Sequence, residues 1–204
     1  MVPYSLMYRL GFAPWERRDV PELWRPLFEG PDAMEPGRAL DIGCGSGRDA
    51  VHLAGRGWRV TAVEFVDRAL AKARQRAAEE GVEVQWVKGD VGKLGRLGLE
   101  PGYSLIYDFG CIQGLSDSAR RGAAEGLTEL AAPGARLLLL AFKAGRRILL
   151  PRGMDKEDLL ALLGGGWDLQ HANSVVTQEM PPPVRRAQPT LYRLTRRNGV
   201  PAVD

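Results

Sequence analysis

The sequence predicts an α/β protein built on a doubly wound, largely parallel sheet in a single domain, and three observations carry that expectation. Apolar, β-branched runs of strand length alternate with amphipathic segments of helix length, the pattern of a sheet covered by helices on both faces. A chain of 204 residues with 45% hydrophobic content buries one substantial core. An early apolar run breaks into three alternating glycines, Leu40-Asp41-Ile42-Gly43-Cys44-Gly45-Ser46-Gly47-Arg48-Asp49, and resumes as a helix, which lets a ligand approach the main chain where a Cβ would stand in the way.

Each element follows in turn. Residues 1–35 precede the sheet and read as a helical segment, aromatic-rich around Pro14-Trp15-Glu16. The first strand ends at the glycine turn, and residues 49–54 form a helix that Gly55 and Gly57 stop. Residues 59–63 are a second buried strand with Glu64 at its carboxyl end. Residues 67–80 are a helix, with Ala69, Leu70, Ala73 and Ala77 on one face and Lys72, Arg74 and Arg76 on others, ended by Gly81. A third strand lies within residues 84–91 and ends near Gly89-Asp90, and a fourth begins at Leu105 and runs into the small-residue turn Gly110-Cys111-Ile112-Gln113-Gly114. Ser116 caps a helix over 116–131, with Ala123, Leu127 and Leu130 inward. Pro133-Gly134 then turns the chain into a strand over 137–142. Asp155 caps a short helix through Leu163, stopped by Gly164-Gly165-Gly166. Residues 167–176 and 189–195 are the last two strands, joined by a surface connection over Pro181-Pro182-Pro183, and residues 198–204 are a frayed tail.

The glycine spacing excludes the dinucleotide fingerprint, which needs glycine where Arg48 stands. Asp41, just ahead of the turn, repels a pyrophosphate and suits a ligand with a cationic amine. Net charge of +3 with scattered pairs such as Arg17-Arg18, Arg146-Arg147, Arg185-Arg186 and Arg196-Arg197 describes solvated faces rather than a nucleic-acid patch. Cys44 and Cys111 are no disulfide framework, and His52 and His171 lack metal-ligand spacing. The longest apolar run, 137–142, is too short for a bilayer, and no leader pattern opens the chain, so a cytoplasmic protein is expected.

Asp41 to Gly47 resembles motif I of the class I S-adenosylmethionine (SAM) dependent methyltransferases. The continuation Gly47-Arg48-Asp49-Ala50-Val51-His52-Leu53-Ala54, then Gly57 to Glu64, resembles the tellurite-resistance and thiopurine methyltransferase subset, and the likeness spans roughly residues 8 to 195. It implies a Rossmann-like seven-stranded sheet, order 3-2-1-4-5-7-6 with strand 7 antiparallel, a SAM-binding domain over 36–197, and SAM as cofactor. The implied cofactor residues are Trp15, Asp41, Gly43, Cys44, Gly45, Gly47, Arg48, Glu64, Phe65, Asp90, Val91, Asp108 and Gly110. Glu64 suits the ribose, because two vicinal hydroxyls donate to one carboxylate about twenty residues after a glycine turn. By resemblance Asp90 accepts from the adenine amine, Val91 offers its amide to the ring, and Asp108 pairs with the methionine ammonium. Trp15 belongs to a lid whose flat face covers the sulfonium.

The expected acceptor is a small, apolar or aromatic molecule, contacted by Trp15, Gln113, Phe142 and Lys143 and methylated on O, N or S. Gln113 stands where the family pattern has histidine, so no catalytic base is assigned. Two rivals stay open, a SAM-binding protein without transfer activity and, more remotely, a nicotinamide oxidoreductase. Oligomeric state is left between monomer and weak dimer.

Overall fold

The computed structural model describes residues 33–145, 150–176, 180 and 182–198. The lid expectation for Trp15, with most of the 1–35 segment, lies outside the described residues, as does the tail beyond Asn198. The described elements run β1 (Arg38–Ile42), α1 (Arg48–Ala54), β2 (Arg59–Glu64), α2 (Asp67–Glu79), β3 (Gln85–Lys88), β4 (Tyr103–Asp108), α3 (Asp117–Leu130), β5 (Ala131–Ala141), α4 (Lys156–Leu163), β6 (Trp167–Ser174), α5 (Pro182–Arg186) and β7 (Thr190–Arg196), with 3-10 turns at Val91–Arg96, Ile112–Gly114 and Gly164–Gly166.

One sheet takes all seven strands in the order β3-β2-β1-β4-β5-β7-β6. β1 to β5 are parallel, and β7 is antiparallel to both β5 and β6. The expected fold and strand order are therefore present. Successive residues of one strand feed opposite layers of core. Leu40, Ile106, Leu137 and Leu139 pack under α3 and α4. Ala39, Leu105, Tyr107 and Leu138 pack with Leu53, Trp58 and Val60 on the other face. β1, β2 and β4 are buried on both faces, so they read as continuous apolar runs rather than alternating ones.

Three local expectations need correction. β5 begins at Ala131, not 137: it pairs with β4 from Tyr103 opposite Ala131, and a register irregularity before Leu105–Arg136 absorbs Pro133-Gly134. The proline-rich connection contains a short helix, α5, because proline is tolerated in a first helical turn, where its missing N–H has no partner to lose. Asp155 stands at the N-cap of α4 but makes no cap bond; its Oδ1 accepts the Ala144 amide instead at 2.8 Å. Ser116 does cap α3, accepting from the Ala119 amide.

α3 meets the 3-10 turn at Val91–Arg96 backbone against backbone. A Cβ on Gly126 would stand 2.5 Å from the Gly95 nitrogen and 2.8 Å from the Leu94 Cβ, and one on Gly122 would collide with the Gly92 carbonyl oxygen. This glycine face fixes how closely the turn carrying Asp90 and Val91 approaches the sheet. No helix among the described residues is long and apolar enough to cross a membrane.

Candidate active site

From β1 the chain goes to β2 on one side and later returns to β4 on the other, so the carboxyl ends of β1, β2 and β4 surround the point where strand order reverses, the place where open α/β sheets bind ligands. The glycine turn sits there. The Gly43 and Cys44 amides both donate to the Val63 carbonyl, at 2.8 and 3.1 Å, which clamps the turn onto β2. Gly43, Gly45 and Gly47 have φ of 70°, 55° and 74°, a left-handed backbone that favours glycine. Two of them also answer to packing: a Cβ at 43 would stand 2.6 Å from the Cys111 Sγ, and one at 47 would stand 2.5 Å from the Trp86 ring and 2.7 Å from the Ala73 Cβ.

Three carboxyls converge around this turn. Asp41 is 2% exposed, and its Oδ2 has no hydrogen-bond partner among the described residues. Burial, then the charges of Asp49, Asp108 and Glu64, push its carboxyl well above the usual range. Glu64, at the tip of β2, accepts the Phe65 and Val66 amides on Oε1 (2.8 and 2.9 Å) and the Gly45 amide on Oε2 at 3.1 Å. Burial raises its carboxyl and those amides oppose the rise. Asp108 ends β4 and takes the Cys111 amide on Oδ1 at 2.6 Å and the Ile112 amide on Oδ2 at 3.0 Å. Its burial outweighs these bonds and moves the carboxyl from 3.8 to about 7. Burial and the surrounding carboxylates push the Cys44 and Cys111 thiols up, so both are protonated, inert groups. Phe65, beside Glu64, is 51% exposed, and Arg48 opens α1. Asp90 is exposed and caps the 3-10 turn through a 2.9 Å bond from the Gly92 amide, with Val91 buried behind it.

Gln113 is 2% exposed, and its Oε1 accepts the Phe142 amide at 2.7 Å, tying the turn after β4 to the end of β5. Its Nε2 faces Gly110, whose φ is 94°; a Cβ there would stand 2.8 Å from that nitrogen. Phe142 is buried and Lys143 exposed. Three groups escaped the sequence reading. Arg120 on α3 is buried and donates from Nη2 to the carbonyls of Gln113 and Gly153, the latter at 2.8 Å. Gly153, with φ of 79°, leaves no room for a Cβ against the Phe142 and Lys143 carbonyls. Burial, then the charge of Asp49 on α1, pushes the Tyr107 hydroxyl up. Only the composition of the 151–154 stretch, proline and glycine around arginine, hints at any of these.

A model of the methyltransferase domain matches residues 39–134, the stretch from β1 through the start of β5 that holds these three carboxyls. Residues 39–134 are a methyltransferase domain. The strand order agrees with the fold of SAM-dependent methyltransferases, and SAM is the cofactor of such domains. Over 131 residues the chain is 28% identical to the 2-heptyl-1-hydroxyquinolin-4(1H)-one methyltransferase of Mycobacteroides abscessus, a match covering 63% of this chain and 56% of that protein. It is 30% identical over 133 residues to a ubiquinone biosynthesis O-methyltransferase of Alkalilimnicola ehrlichii, covering 65% and 53%. The match thus spans about half the length of these two relatives. Among solved structures, a 1,6-didemethyltoxoflavin-N1-methyltransferase of Burkholderia thailandensis with bound S-adenosylhomocysteine superposes with a TM-score of 0.72 over 96% of this chain and 86% of that one, at 20% identity. The chemistry of the site fits SAM. The unpartnered Asp41 oxygen and its carboxyl neighbours suit a molecule that carries both a sulfonium and an ammonium, and Glu64 Oε2, holding one amide, has a lone pair left for a hydroxyl.

Proposed function

We propose that this chain transfers the methyl group of SAM to O, N or S of a small aromatic or apolar acceptor, within a branch similar to the tellurite-resistance and thiopurine methyltransferases. The observation that carries the reading is the convergence of Asp41, Glu64 and Asp108 on the glycine turn at the switch point. When bound, SAM supplies a methyl carbon already activated by the sulfonium charge, so the chain's task is placement. Glu64 would hold the ribose hydroxyls, Phe65 would cover the adenine and Asp90 and Val91 would bind its edge. The glycines Gly43, Gly45 and Gly47, with Cys44 and Arg48, would wrap the methionine part, whose ammonium Asp41 and Asp108 would face across from Gly110.

Gln113, Phe142 and Lys143 border the acceptor side, which Trp15 would close. Gln113 spends its oxygen on the Phe142 amide and cannot take a proton near neutral pH, so it positions rather than deprotonates. Holding the partners at contact distance contributes on the order of 7–11 kcal/mol in favourable systems. The test is tritium transfer from methyl-labelled SAM to a panel of phenols, thiols and heterocycles, with S-adenosylhomocysteine affinity measured on the same sample. Labelled product supports the reading. Binding of S-adenosylhomocysteine with no transfer across the panel points to a SAM-binding protein without methyl transfer, and no binding overturns the site.

A further inference from the structure

On the acceptor side a second feature stands apart from the cofactor residues. The start of α3, the stretch around Arg152–Met154 and α4 enclose a cleft of about 620 Å³, within the roughly 300–1,000 Å³ of small-molecule pockets. Its walls include apolar Met154 and Leu162, and its charged groups are Arg120, Arg121 and Arg152 against Asp117 and Asp158. Asp117 is paired with Arg152, which leaves two arginines facing one aspartate. Arg120 is 8% exposed and makes no ion pair with the described residues. Its Nη2 is held by two carbonyls, but its Nε has no partner. A buried guanidinium N–H without an acceptor is costly; burial and then the Arg152 charge weigh against the Arg120 cation, and Asp117, Asp158 and Asp108 offset this in part. An oxyanion in the cleft would offset the guanidinium charges of Arg120 and Arg121.

The cleft is also tied by hydrogen bonds to the candidate acceptor residues Gln113 and Phe142. Arg120 holds the Gln113 carbonyl, and Gln113 in turn holds the Phe142 amide, so the guanidinium is two hydrogen bonds from the end of β5, a strand that lies across β4 from the β2 that carries Glu64. We propose that the methyl acceptor is a small organic anion, whose carboxylate or phosphate is received by Arg120 and Arg121 and whose apolar body lies on Met154 and Leu162. This rests on the methyltransferase reading.

The experiment is a calorimetric titration of the full chain at low ionic strength, with and without S-adenosylhomocysteine, using benzoate, phenyl phosphate and the neutral analogue benzamide. The expected result is that at least one anion binds ten-fold or more tightly than benzamide, and whichever anion binds better identifies the group. Arg121→Gln should erase about ten-fold or more of that preference, since charge-assisted hydrogen bonds are worth roughly 1.5–3 kcal/mol each. Because removing Arg120 risks the fold, its part is read in the wild type from the Nε–H resonance, which should move with the preferred anion and stay still with benzamide. Equal binding of anions and benzamide, or a preference untouched by Arg121→Gln with an unmoved Arg120 resonance, overturns the proposal. Loss of S-adenosylhomocysteine binding would sink the methyltransferase reading instead, and the titration without it still decides whether the cleft takes anions.

Discussion

Glu64 serves the empty protein as well as the ligand, since its two oxygens hold three backbone amides of the turns around it. Glu64→Gln keeps the volume but removes the charge and one acceptor, and SAM affinity measured by calorimetry should fall about ten- to two-hundred-fold, the worth of a charge-assisted bond to the ribose. Unchanged affinity would end the ribose assignment. Asp108 makes a pH prediction. Its carboxyl titrates near 3.8 when unfolded and at about 7 when folded. In that window the folded state keeps a proton that the unfolded state has lost, so stability falls as pH rises and levels off above the folded value. Burial shifts Asp41 in the same direction. Urea midpoints of the wild type should therefore drop from about pH 5 to about pH 7.5, and Asp108→Asn should flatten the drop; a parallel drop in the variant would assign the effect elsewhere. Asp90 and Asp108 came from the family resemblance, whereas Glu64 was legible because the apolar run locates the last residue of β2. The partners of Gln113 and Arg120 were not, since Phe142 and Gly153 are 29 and 33 residues away and nothing in a linear pattern pairs them.

Among the elements, α3 shows where pattern reading stops. The expected inward face of Ala123, Leu127 and Leu130 is buried, but the contact that positions the Asp90–Val91 turn is made by Gly122 and Gly126, whose meaning lies in a missing side chain. Helix propensity alone favours Gly126→Ala by roughly 1 kcal/mol. The close approach to Gly95 reverses that sign: the variant should be destabilised by about 1–3 kcal/mol in urea unfolding. Gly165→Ala, which meets nothing within 4 Å, should be near neutral. Equal effects of the two would remove the argument for a glycine-on-glycine crossing. The boundaries of α1, α2, β2 and β4 lie within about two residues of the sequence expectation. β5 and α5 escaped it because proline was taken as a stop, whereas an irregular register and a first helical turn both accommodate it.

For the molecule as a whole, alternation of strands and helices gave a doubly wound sheet, but the strand order came from resemblance, because nothing in residues 167–196 says which edge they join. The outcome places polar β6 at the edge, with Asp168, Gln170, His171, Asn173 and Ser174 along it, and apolar β7 inside. All seven strands of the described sheet follow residue 37, so deleting residues 1–16 should leave a folded sheet by far-UV circular dichroism while lowering turnover, as a cover containing Trp15 requires. Full activity of the shortened chain would reduce Trp15 to packing. The buried acids at the switch point also set how the protein fares in a cell. Burial, and then their neighbours' charges, makes ionising these acids costly before any cation arrives, so the empty form is the one most exposed to proteases, and a ligand at a hundred times its dissociation constant adds about 2.7 kcal/mol of protection. The amount of this protein would then track the supply of its cofactor, with scarcity read out as degradation before it is read out as lost catalysis.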